Sequence, residues 1–400
     1  MRIGMMTDVY KPHISGITNH ISLTKRFLEA MGNEVFVFTF GEDDDCDHEP
    51  NIIHSPGLPL VDTGYYLNIR YNLAAQRVLR TMDIVHVHHP FLSGRLALRY
   101  CQPRNIPIVF TNHTRYDLYA HAYLPVLPEG ISETFLKAYL PSFCSSCELV
   151  IAPSSGMREV LRRFGVETSI EVVPNGVDLS PLRAKLEPID RSTLGFSEKD
   201  VVLIYTGRLG PEKNLPFLLR SFAGTAKAYD EVGLLIVGSG KERENLEDRV
   251  QYMGITDRVH FTGMVAYKDL PRYLAAADAF VTPSLTEVHP LSVIEAMAAG
   301  LPVLGIQSPG VGDIVQNGVN GILAEEEDVA VFTAKMVRLA TEHDYRHRLG
   351  AQAQLKAADY AIEHTTQILC EHYDSLIQRA SGRRRGLRAK LAQIIDGRSE

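Results

Sequence analysis

The sequence predicts an α/β protein built from two halves, each a parallel sheet with crossover helices. Three observations carry this expectation. Short apolar runs of four to eight residues alternate with longer amphipathic stretches along most of the chain. The runs fall into two series, separated by a stretch rich in Pro and charge. The length of 400 residues suits two domains of roughly 100–200 residues each.

The first series of runs is Arg2–Met6, Glu34–Phe40, Asp83–Val87, Pro107–Thr111 and Glu148–Ala152. The second is Val201–Thr206, Gly233–Val237, Val259–Thr262, Ala279–Thr282 and Pro302–Gly305. Each is bounded by Gly, Pro, Asp or Asn, as strands buried on both faces are. Helix-like segments lie between them: Asn19–Met31, Met157–Phe164, Leu215–Ala228, Leu246–Met253 and Leu291–Ala299. Strands alternating with helices imply parallel sheets with right-handed crossovers, so the two halves read as Rossmann-like. The first half spans residues 1–178 and the second 201–360. Residues 179–200, with Pro181 and Pro188, read as the linker. A last helix over about Ala357–Arg379, assigned to 361–380, ends at Ser381-Gly382, and 381–400 forms a basic tail.

Apolar residues make up 45% and charged residues 22% of the chain, the balance of a soluble globular protein. This excludes disorder, collagen-like repeats and a disulfide scaffold. A net charge of −7 argues against a nucleic-acid partner. Only residues 371–400 are net basic, with seven Lys/Arg against four Asp/Glu. No apolar run reaches the roughly 18–20 residues that span a bilayer. The N-terminus lacks the apolar core of a signal peptide, and five cysteines fit a reduced cytoplasmic setting. Cys144 and Cys147 form a lone C-x-x-C; without a second pair it reads as two small residues on a buried helix end.

In open α/β sheets, ligands bind beyond the carboxyl ends of the strands, and the informative residues follow the strands. Asp8 to Gly16 follows the first, and Gly16 opens a helix where a phosphate could approach the backbone. The absence of G-x-G-x-x-G argues against a nicotinamide dinucleotide. Gly207-Arg208-Leu-Gly-Pro-Glu-Lys213-Asn214 follows the first strand of the second half. It places two cations and a helix N-terminus where a diphosphate would sit. Glu287 and Glu295 stand eight positions apart across a loop–helix junction. With Pro290 as the first helical residue, the free N–H groups of Leu291 and Ser292 face the same place as Glu287. His86, His88 and His89 cluster at a strand end, where a metal set and a structural or acceptor-side set are both open.

Gly207–Asn214 followed by Glu287–Glu295 resembles the retaining glycosyltransferases of family 4, which have the GT-B fold. So do TDVYKPHISG at the start, DIVHVHHP, NHT after Ile108–Thr111, and VPNGVD. The resemblance covers about residues 1–370. It implies two parallel-sheet domains facing across a cleft, with the C-terminal helix returning to the first domain. It implies that Arg208 and Lys213 hold the diphosphate of a nucleotide sugar and stabilise it as leaving group. Glu295 would bind the ribose and Glu287 the sugar hydroxyls, assisted by the amides of Leu291 and Ser292. Gly16 would lie under the diphosphate, His113 near the reacting carbon, and Gly238 and Val265 along the base. The catalytic set is thus His113, Glu287, Arg208 and Lys213. The nucleotide sugar is a substrate; no cofactor and no metal are required, since Arg and Lys replace the metal. The family usually has Gly where this chain has Pro290, and Phe or Gln where it has His289. The family also carries similar histidines at 86–89, which favours the structural or acceptor-side reading there.

His113 to Tyr119, with Arg115 and Tyr116, resembles the segment of members that glycosylate diacylglycerol. Leu58–Met82 combines Tyr65, Tyr66, Leu67, Ile69, Leu73 and Leu79 with Arg70, Arg77 and Arg80, the pattern of an interfacial helix. The tail adds Arg379, Arg383–Arg385, Arg388 and Lys390, each worth about 1 kcal/mol near anionic lipid. The expectation is a peripheral enzyme on the inner face of the cell membrane, moving a hexose, glucose from UDP-glucose, to diacylglycerol or a related lipid. A soluble small-molecule or glycan acceptor is the alternative. An epimerase or nucleotide-sugar-binding protein is the alternative of another class.

Overall fold

The computed structural model describes residues 1–13, 15–41, 49–60, 66–116, 118, 129–183 and 187–396. Tyr65, Asp117 and Tyr119 lie outside these residues, as do the side chains of Leu67 and of residues 383–396. The chain forms two compact units, Met1–Gly176 with Ile362–Glu400, and Val177–Ala361.

The strands of the first unit are β1 (Arg2–Met6), β2 (Glu34–Phe40), β3 (Ile52–Ser55), the two-residue strands β4 (Leu58–Pro59) and β5 (Tyr66–Leu67), β6 (Ile84–Val87), β7 (Ile108–Thr111), β8 (Leu149–Ala152) and β9 (Ile170–Val172). Seven form one sheet in the order β3-β2-β1-β6-β7-β8-β9, parallel throughout. On one face lie the helices Gly16–Ala30 and Ile362–Asp396. Leu369, Tyr373 and Leu376 of the latter join Ile3, Met5, Ile21, Leu28, Val35, Val109 and Ile151 in one core. Burying each large apolar side chain contributes roughly 1.5–3 kcal/mol, so this face ties the chain's last helix to its first sheet.

The second unit contributes β10 (Val201–Thr206), β11 (Val232–Val237), β12 (Val259–Gly263), β13 (Ala279–Thr282), β14 (Val303–Ile306) and β15 (Gly321–Ala324). They form a parallel sheet in the order β12-β11-β10-β13-β14-β15. Successive side chains of a strand point to opposite faces, and both faces are covered. Val201, Leu203 and Tyr205 of β10 enter one core with Phe217, Phe222 and Phe332. Val202 and Ile204 enter the other with Val293, Ile294 and Met297.

Four readings of the sequence need correction. Residues 179–200 are no free linker: Leu179, Leu194 and Phe196 are buried in the second unit's core, and Arg191 bonds Asp278 at 2.9 Å. The last helix does not stop at Ser381-Gly382 but continues to Asp396, since one exposed glycine costs a helix only about 1 kcal/mol. Leu58–Met82 is not one interfacial helix. It holds the antiparallel β4–β5 pair and a short helix, Leu73–Leu79, capped by Asn72. Pro290 precedes the helix Leu291–Ala298 as its N-cap rather than its first residue. The sequence also hid β3, β9 and β15. The first two are edge strands of the sheet, and β15 is a four-residue strand opening on Gly321; none makes a long apolar run.

Candidate active site

Each unit places its chemistry at the point where its strand order reverses. In open α/β sheets this is where a crevice opens beyond the carboxyl ends of the strands. In the second unit the reversal lies between β10 and β13. Gly207–Asn214 leaves the end of β10 and Pro283–Pro290 leaves the end of β13.

The loop after β10 is built for close approach. Gly207 has φ 152 and Gly238, after β11, has φ 146, values that favour glycine. A Cβ on Gly238 would lie 1.9 Å from the carbonyl oxygen of Gly207. The loop's end is Asn214, left-handed at φ 54, which leads directly into the helix Leu215–Ala228.

Lys213 and Glu287 are paired, Nζ to Oε1 at 2.7 Å. The loop after β13 is tied back by Thr286, whose hydroxyl donates to the Glu212 carbonyl at 3.3 Å. Burial acts to lower the Lys213 ammonium, but Glu287 outweighs it and holds its pKa above the ordinary value. Burial acts to raise the Glu287 carboxyl, and Lys213, with hydrogen bonds from Lys213 and Ser284, overcomes this and holds it below the usual range. Both groups are therefore charged at neutral pH. Arg208 is 68% exposed at its side chain and reaches Glu212 at 2.7 Å.

The helix Leu291–Ala298 starts beside this pair, and no side chain caps it. Its first N–H groups, Leu291 and Ser292 among them, have no partner within the helix. Glu295 is buried on its first turns and accepts from the Tyr267 hydroxyl at 2.9 Å. Burial pushes this carboxyl up to about 7, against the pull of the Tyr267 hydrogen bond. Two carboxylates on one element pair thus have different states, one locked as an anion and one poised near neutrality. Val265 lies after β12, partly buried against the core. His289 is buried and meets the Tyr360 ring edge-on at 5.2 Å.

In the first unit the reversal lies between β1 and β6. Gly16 is the first residue of the helix Gly16–Ala30, capped by a reciprocal Ser15–Thr18 pair. A Cβ there would meet nothing within 4 Å, so the space above it is open. His113 follows β7. Its Nε2 shares a hydrogen bond with Nδ1 of His88 at 2.9 Å, and their rings stack at 5.2 Å. His86 is structural. It bonds Tyr373 through one ring nitrogen and Thr111 at 2.7 Å through the other. His89 lies 3.1 Å from the Thr7 hydroxyl. Burial holds His113 and His88 well below the ordinary imidazole range, and neighbouring histidines lower both further.

Tyr116 is buried, edge-on to Phe91 at 5.4 Å, so it does not face a membrane. Arg70, Arg77 and Arg80 are exposed, as are Leu58, Ile69 and Leu73 at 75%, 81% and 72%. Cys144 and Cys147 are buried thiols, and burial pushes Cys144 up to about 12, which fits the packing role. Sequence reading missed Glu212, Tyr267 and His20. Glu212 lies inside a quoted motif without an assigned role. Tyr267 sits 28 residues from its partner with no local signal.

Two family models match the chain: Glycosyltransferase Family 4 over residues 14–181, and Glycosyl transferases group 1 over residues 187–356. The alpha-monoglucosyldiacylglycerol synthase of Streptococcus pneumoniae is 31% identical over 335 residues, covering 81% of this chain and 75% of that protein. The protein of the same name from Acholeplasma laidlawii is 26% identical, covering 91% and 94%. Among solved structures, the sucrose-phosphate synthase of Thermosynechococcus elongatus superposes with TM-score 0.77 at 21% identity, covering 94% of this chain and 99% of that one. Anabaena HepE, solved with UDP and glucose, gives 0.75 at 20% identity, covering 94% and 100%. These likenesses show the fold.

Proposed function

Because the chain belongs to the family 4 glycosyltransferases, we propose that it moves glucose from UDP-glucose to diacylglycerol or a related lipid, retaining the anomeric configuration. The observation that carries the donor half is the β10–β13 reversal, where Arg208, Lys213 and an uncapped helix N-terminus lie beside Glu287. Cations and free N–H groups gathered at one point suit a diphosphate that gains charge as it leaves. The paired Lys213 and Glu287 hold opposite charges side by side, so one grips phosphate oxygen while the other accepts from sugar hydroxyls. Glu295 accepts from the ribose, and His113 donates or accepts at the sugar near the reacting carbon. The leaving phosphate, steadied by Arg208 and Lys213, takes the acceptor's proton on the same face. In this reading no metal is needed.

The lipid half rests on the two synthases that match the chain. It is supported by the exposed Leu58, Ile69 and Leu73 beside exposed Arg70 and Arg77. The Asn68 side chain, just after β5, donates to the Pro56 carbonyl, just before β4, and so closes the base of the β4–β5 pair. Apolar side chains among arginines suit an anionic lipid surface. Among the described residues no helix is long and apolar enough to cross a membrane. A donor-by-acceptor screen in mixed micelles tests the reading. Transfer from UDP-glucose to diacylglycerol is expected, with Glu287→Ala losing turnover while retaining UDP. Transfer only to water-soluble acceptors, or turnover unchanged in Glu287→Ala, overturns it.

A further inference from the structure

We infer that His20, His88 and His113 form an inhibitory site for a borderline-soft divalent cation such as Zn²⁺. One ring nitrogen from each lies within 4.8 Å of the other two. The residues come from three elements: the helix Gly16–Ala30 and the turns after β6 and β7. The His20 ring packs 5.0 Å from His113 and 6.0 Å from His88.

Three features make this set apt for a cation. First, His20 and His88 are buried and His113 is half-buried, so the three ring nitrogens meet in one enclosed place. Second, His20 Nδ1 is buried with no hydrogen-bond partner among the described residues, a cost of about 1–3 kcal/mol. Third, the proton inventory closes without release. His88 Nδ1 and His113 Nε2 share one proton at 2.9 Å. Whichever ring donates it can carry it on its other nitrogen instead, leaving both facing nitrogens open. Zinc–nitrogen bonds of about 2.0–2.1 Å place tetrahedral ligand atoms roughly 3.4 Å apart, so the set reaches that geometry by side-chain shifts on the order of an ångström. An all-imidazole set selects Zn²⁺, Co²⁺ or Ni²⁺ over Mg²⁺ and Ca²⁺, which want oxygen. Three ligands leave the fourth position open.

That the cation inhibits rests on the role of His113 proposed above; that it binds does not. Untagged full-length protein is titrated with Co²⁺ and followed by its visible d–d bands. One-to-one binding with tetrahedral bands, displaced by Zn²⁺ and unaffected by Mg²⁺, is expected. No bands, or octahedral bands alone, overturns the site. His20→Gln and His88→Gln should each weaken binding by more than the roughly 100-fold typical of losing an outer-shell partner. His347→Ala, which breaks up the exposed His343–His347 pair 4.2 Å apart, should leave the bands intact. Bands lost in His347→Ala and kept in His20→Gln would place the cation on that surface pair and sink the inference. Zn²⁺ should slow hexose transfer and a chelator restore it. Bands without inhibition would uphold the site and overturn the role of His113.

Discussion

Replacing Lys213 by Met keeps most of the side chain's volume and removes its charge, which leaves Glu287 as a lone carboxylate in a half-buried pocket. The Lys213–Glu287 contact is 2.7 Å, with the two side chains 23% and 17% exposed. Breaking such a pair from one side costs about 3–5 kcal/mol, because the remaining charge keeps its desolvation penalty. The pH dependence reverses along with it. In the native protein Glu287 is held below 4.5, so its contribution is present above 4.5 and is lost as pH falls through the folded value. In Lys213→Met burial loses its main opponent, with the Ser284 hydrogen bond and the Arg208 charge left against it, and the folded pKa should rise above 4.5. The variant then binds more protons folded than unfolded and gains stability as pH falls from 7 towards 5. Denaturant melts of the donor-free protein at pH 5 and pH 7.5 measure this. A cycle with Glu287→Gln and the double variant isolates the pair. A loss below about 1 kcal/mol, or a variant that weakens with acid as the native protein does, would refute the reasoning. UDP affinity should also fall, since a charge-assisted contact is worth about 1.5–3 kcal/mol.

If Glu295 holds the ribose as proposed, UDP binding should tighten from pH 6 to pH 8, because burial pushes its carboxyl up to about 7 and the carboxylate is the better acceptor for ribose hydroxyls. Calorimetry on Glu295→Gln should show that slope abolished, while the same group costs the ligand-free native protein stability as pH rises between 4.5 and about 7. Gly238→Ala drives a Cβ to 1.9 Å from the Gly207 carbonyl and should cost roughly 3 kcal/mol. Gly16→Ala, which meets no atom within 4 Å, should leave the melting temperature unchanged and weaken only donor binding. Equal thermal shifts in the two glycine variants would contradict the packing described for Gly238.

Local pattern carried much of the fold. Strands such as β1, β2, β10 and β13 appear with the limits their apolar runs announce, because burial on both faces leaves no polar position to blur the run. The helix Leu215–Ala228 likewise begins just after Asn214. Edge strands β3 and β9 escaped, since one side meets no neighbour and polar residues are tolerated there. Leu58–Met82 misled for a related reason. Apolar and basic residues interleave over a β pair and a short helix as readily as over one long helix, and composition does not distinguish them.

Residue types and motif spacing marked Arg208, Lys213, Glu287 and Glu295 in the second unit and His113 in the first. These are groups whose chemistry follows from side chain and place in a motif. What the sequence determined by itself is thus the two parallel-sheet units, the family, and the loops that carry chemistry. Only the tertiary structure decided the protonation of those groups. Glu287 and Glu295 are the same residue type eight positions apart, yet one is paired with Lys213 and the other accepts from the Tyr267 hydroxyl. Only tertiary packing also brought His20 to His88 and His113. Desolvation and Coulomb terms depend on distances between atoms far apart in the chain, and those distances exist only once the sheets have formed.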